Sequence, residues 1–75
     1  MFSARFLYKK NMQITKLADN GADVEIEVGD ECLTFTRGED GIPRNFWTTR
    51  GGNGYVKTEW AGLTIDEQNA VERFN

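Results

Sequence analysis

From position 2 to position 60, apolar and polar side chains alternate in short runs with a period of two, the repeat of a half-buried strand. Gly and Asn interrupt the runs at close intervals: KKN at 9–11, DNG at 19–21, GDE at 29–31, GEDGIP at 38–43 and GGNG at 51–54. Strands separated by such short turns form an antiparallel meander, whereas βαβ units need longer crossovers. The first run places Phe2, Ala4, Phe6 and Tyr8 on one face. Around Asp19-Asn20-Gly21 a three-residue loop with left-handed Gly21 pairs Ala18 with Ala22, Ile14 with Ile26 and Met12 with Val28, and sets Thr15 opposite Glu25. A two-residue loop would put Ile14 opposite Glu27, so the register that keeps one apolar face is expected. CLTFTR sends Leu33 and Phe35 inward and leaves Cys32, Thr34 and Thr36 on the other side. Pro43 falls just before a strand, where its missing N–H does no harm.

The period changes at the end of the chain. Thr64, Ile65, Asp66 and Glu67 read as a capping box with acids in the first turn, which predicts a helix over about 65–74. Leu63, Ala70, Val71 and Phe74 share one side of it, with Glu67 at the margin. So short a helix is not stable alone and must dock. The expected fold is a single α+β domain over 1–75: an antiparallel β-meander of about five to six strands with one short C-terminal helix packed on the sheet.

Composition narrows the chemistry. The 75 residues include one cysteine, Cys32, and no histidine, so no intrachain disulfide forms and the usual general base near neutrality is missing. Neither Cys32 nor Ser3 has a histidine to activate it, and GGNGY lacks the Lys-Ser/Thr of a phosphate loop. The acids in the turns have no EF-hand spacing. These features predict a protein that is not an enzyme, with no cofactor and no metal. A lone cysteine, no membrane-length apolar run and no signal-peptide core predict a cytoplasmic protein, read as a complete small product beginning at Met1.

The net charge of −3 is unevenly spread. Residues 1–18 carry Arg5, Lys9, Lys10 and Lys16 and no acid, whereas 19–31 carry Asp19, Asp23, Glu25, Glu27, Asp30 and Glu31 and no base. The simplest reading of such blocks is solvated faces that neutralise one another across neighbouring strands. On a strand, however, Asp23, Glu25 and Glu27 form an evenly spaced anionic row, extended by Asp30 and Glu31. That row is either the charged guard of an edge strand or a surface that occupies a partner's basic groove.

A second candidate surface is RNFWTTRGGNGYVKTEW at 44–60. Alternation puts Val56, Thr58 and Trp60 inward, with Tyr55, Lys57 and Glu59 outward. Phe46 and Trp47 are adjacent, so one of the two faces out. Arg50 joins the outer group if Phe46 is outward and turns inward or to the rim if Trp47 is. The hairpin candidates are therefore Phe46, Trp47, Arg50, Tyr55 and Lys57. Aromatics beside cations stack on bases, and they equally anchor protein interfaces. With a pI near 4.8 the protein interface is favoured. The expectation is a non-enzymatic protein-binding module, monomeric or weakly dimeric, that occupies a basic surface of a nucleic-acid-handling partner. Inhibitors carried by phages and mobile elements, anti-CRISPR proteins for example, are of this type. The alternative is a single-stranded nucleic-acid-binding sheet that uses the 44–60 hairpin.

Overall fold

The computed structural model describes residues 13–75. The expected strand over 2–8, and with it Ser3 and Met12, lies outside the described residues. Five strands, β1 (Ile14–Asp19), β2 (Asp23–Val28), β3 (Glu31–Thr36), β4 (Arg44–Thr48) and β5 (Val56–Thr58), form one antiparallel sheet in sequence order. A 3-10 turn at Trp60–Gly62 leads into a helix, α1 (Ile65–Phe74), which packs on one face. The α+β meander with a docked C-terminal helix is thus the observed architecture.

The core follows the alternation. Val24, Ile26 and Val28 of β2, Leu33 and Phe35 of β3, and Phe46 of β4 meet Leu63, Ala70 and Val71 beneath the helix. Each buried Val, Leu, Ile or Phe side chain among them contributes about 1.5–3 kcal/mol of transfer free energy. Phe46 packs between Phe35 and Trp60 with its ring tilted to both, at centroid distances of 6.4 and 5.8 Å. The helix starts where the capping box placed it: Thr64 Oγ1 accepts from the Glu67 N–H, and Glu67 Oε1 accepts from the Thr64 N–H.

Two arginines tie the ends of α1 to the rest of the molecule. Arg50 donates to Glu67 Oε1 (3.0 Å) and to the Gly62 carbonyl (2.6 Å). Arg37 spends its whole guanidinium: two bonds on Asp19, one on the Gly21 carbonyl, and one each on the carbonyls of Phe74 and Asn75. The last carbonyls of a helix have no intrahelical partner. Here a side chain from the far end of β3 satisfies them.

The β1–β2 hairpin departs from the expected register. Ile14 lies opposite Val28, and Thr15 opposite Glu27; past a bulge at Leu17, Ala18 faces Glu25. The Asn20 N–H donates to the Asp23 carbonyl at 3.1 Å, and side chains close the turn around it. Asn20 Oδ1 accepts from the N–H groups of Ala22 and Asp23, and Asp19 Oδ1 accepts from that of Gly21. The shift is two positions, so Ile14 keeps its place on the core side; the bulge then moves Ala18 to the other side. Between β2 and β3, Gly29 (φ +67°) and Asp30 make a two-residue turn with glycine at its first position, as a primed hairpin requires.

A candidate binding face opposite the helix

Alternation that buries Val24, Ile26 and Val28 sends Asp23, Glu25 and Glu27 to the sheet face away from α1. Their partners across the ladder are Thr36, Thr34 and Cys32 on β3. Next in line stands Trp47 of β4, opposite Thr34, and then Lys57 of β5, opposite Trp47. The acidic row and the aromatic hairpin, two separate candidates in the sequence, therefore share one surface. Among the described residues no element packs over it.

Two contacts join the halves. The Tyr55 hydroxyl donates to Glu25 Oε2 at 2.7 Å, and the Lys57 ammonium lies 5.5 Å from the centroid of the Trp47 ring. Tyr55 leads into β5, while Glu25 is on β2, three strand spacings or roughly 14 Å away in a flat sheet. To meet, both side chains must lie along the sheet, over β3. Cys32 and Thr34 beneath them are accordingly half-buried. Partial burial, and secondarily the Glu25 carboxylate, push the Tyr55 phenol well above its ordinary range, which keeps it a hydrogen-bond donor. Thr36 Oγ1 donates to Asp23 Oδ1 at 2.7 Å. A groove of about 400 Å³ runs beside this ladder, lined by Ala18, Asp19, Asn20, Asp23, Val24, Glu25 and Thr34.

Three of the ten candidate residues belong elsewhere, and Asp30 sits in the turn where it was expected. Phe46 is 6% exposed in the core, so Trp47, at 40%, is the outward aromatic. The reason lies one residue earlier: Asn45 takes φ +60° where the β3–β4 register shifts, and alternation restarts from there. Arg50 turns away from the aromatics to pair with Glu67. Glu31 alternates with Leu33 and Phe35, which places it at the end of the core side rather than in the acidic row. Asp30 is exposed in the β2–β3 turn, beyond the row. Asp23, Glu25, Glu27, Trp47, Tyr55 and Lys57 remain, and Thr34 joins them as floor. Sequence reasoning passed over Thr34 as a polar strand residue; its position between Glu25 and Trp47 needs the register of three strands.

β2 lies between β1 and β3, so an edge-guarding role does not account for the charge of its row. Chemically the face offers three carboxylates, one ammonium and two aromatic surfaces. Among the described residues, no three potential metal ligands come together, and no helix is long and apolar enough to cross a membrane. The chain matches no family model, and neither a curated protein nor a solved structure matches it.

Proposed function

We propose that the protein is a non-enzymatic binding module that uses the sheet face opposite α1 to occupy a basic surface of a protein partner. The observation that carries this reading is the joining of the acidic row and the outward aromatics on one face through the Tyr55–Glu25 hydrogen bond. Aromatic anchors supply contact area, and carboxylates supply steering and register against a cationic patch. The same arrangement disfavours a nucleic-acid backbone. Phosphates approaching Trp47 and Tyr55 meet Asp23, Glu25 and Glu27, while Arg50 is engaged by Glu67 and only Lys57 among the site's residues attracts them. A compact anionic face suits an inhibitor that fills a groove built for nucleic acid, the phage-borne or anti-CRISPR kind of protein. That assignment is an analogy of type, resting on size, acidity and the face itself.

The test is charge reversal at Glu25 and Glu27 to Lys. Glu25 loses one charge-assisted hydrogen bond on a solvent-facing surface, worth about 1.5 kcal/mol, and otherwise each change costs within about 0.5 kcal/mol, so the domain stays folded by circular dichroism. Wild-type protein is expected to capture a basic protein from native lysate and to release it as salt is raised; the double variant captures none. If wild type instead binds single-stranded oligonucleotide and the double variant binds it more tightly, the reading is wrong.

A further inference from the structure

The ladder Glu25–Thr34–Trp47–Lys57 has an unfinished chemistry that names the group it takes from a partner. Resting on the reading above, we infer that this ladder is a receptor for a partner's arginine, whose guanidinium stacks on Trp47 in place of Lys57 and donates to Glu25. Trp47 already holds a cation. Lys57, the neighbour directly across the strand pair, rests on the indole, yet it forms no ion pair with any carboxylate among the described residues. Glu25 is half-engaged as well. Tyr55 uses Oε2, whereas Oε1 receives no hydrogen bond among the described residues. The chain's own ammonium therefore serves the ring and leaves the carboxylate oxygen unserved.

One guanidinium serves both. Glu25 and Trp47 stand two strand spacings apart, roughly 9.5 Å between backbones, with the short Thr34 side chain between them. A guanidinium is planar, lies flat on an indole, and donates from its edge in the same plane. Its edge then reaches Glu25 Oε1, with Thr34 Oγ1 as a second acceptor below. An ammonium is a compact point charge, and on the ring it has nothing to extend sideways. The groove lined by Ala18, Asp23, Glu25 and Thr34 gives the arginine's alkyl stem a course off the ladder. Charge draws a cation of either kind, since three carboxylates on this face oppose one ammonium, and the flat shape of the guanidinium then sets the preference.

Hexa-arginine and hexa-lysine are the probes, titrated calorimetrically at matched ionic strength while the Trp47 indole N–H is followed by NMR. Hexa-arginine is expected to bind about tenfold tighter than hexa-lysine and to shift the Trp47 resonance. Trp47→Leu, which keeps apolar bulk at a position 40% exposed, should bring the ratio near one. Glu25→Gln should weaken hexa-arginine more than hexa-lysine, and Lys57→Ala should tighten both by clearing the ring and removing a like charge. Equal affinities in the wild type overturn the guanidinium assignment and leave the basic-partner reading standing. An arginine preference untouched by Trp47→Leu overturns it too, because the site would lie elsewhere. Binding of neither peptide overturns this inference together with the reading it rests on.

Discussion

Replacing Arg50 by Met tests the joint at the start of α1. The Glu67 side chain is 2% exposed, and its Oε1 accepts from Arg50 Nη1 and from the Thr64 N–H. Its other oxygen, Oε2, is buried with no hydrogen-bond partner among the described residues. Loss of Arg50 therefore leaves a buried carboxylate with a single backbone donor. A charge-assisted hydrogen bond is worth about 1.5–3 kcal/mol, and stranding a buried charge costs about 3–5 kcal/mol. Arg50 itself is 34% exposed, so water screens the pair and the lower figure applies, about 3 kcal/mol. In a domain of this size that lowers Tm by roughly 12–24 °C. Glu67→Gln keeps a carbonyl for the Thr64 N–H and should cost less. Urea unfolding of the two single variants and the double gives the coupling directly. The double should be about 1.5 kcal/mol more stable than the sum of the singles requires, since Glu67→Gln leaves no charge to strand. Additive effects, with coupling near zero, would refute the claim that Arg50 neutralises Glu67.

Two further outcomes concern stability. Gly38→Ala places a methyl 2.5 Å from the Ile42 carbonyl and 2.6 Å from Asp40 Oδ1, in a loop closed by the Gly38 N–H to that same carbonyl, so denaturant titration should show a loss of about 1–3 kcal/mol; a neutral substitution would mean the loop yields freely. Arg37, then the Gly21 N–H and Lys16, hold the Asp19 carboxyl well below its ordinary range. A depressed folded-state value stabilises fully above the unfolded carboxylate value, about pH 4, and the contribution fades as pH falls towards the folded one. Thermal melts from pH 7 to pH 2 should therefore show a smaller acid loss in Asp19→Asn than in wild type, and equal slopes would exclude this role.

The sequence is most informative where signals are local. Thr64 and Glu67 mark the helix start because both halves of the capping box lie within four residues. Alternation in DVEIEV assigns Asp23, Glu25 and Glu27 to one face whatever the register, since β2 is regular. The β1–β2 pairing is less legible: DNG is compatible with several loops, and the choice falls to the Asn20 carbonyl oxygen, which caps two N–H groups at once. Phe46 and Trp47 are undecidable from alternation alone, because the phase depends on a left-handed Asn45. Once Trp47 is outward, alternation leaves Arg50 inward or at the rim, and Glu67 decides for inward. The Arg37 clamp is invisible beforehand. Its acceptors, the Phe74 and Asn75 carbonyls, are common to every residue and come together with it only in the folded chain.

The Tyr55–Glu25 hydrogen bond also bears on the entropy of association. Long surface side chains ordinarily sample many rotamers, and fixing each on binding costs about 0.5–1.5 kcal/mol. Tyr55 and Glu25 have met that requirement within the free protein, each holding the other flat across β3. The contact area they present is thus set before a partner arrives, and a face this small can commit its interactions to affinity instead of to its own ordering.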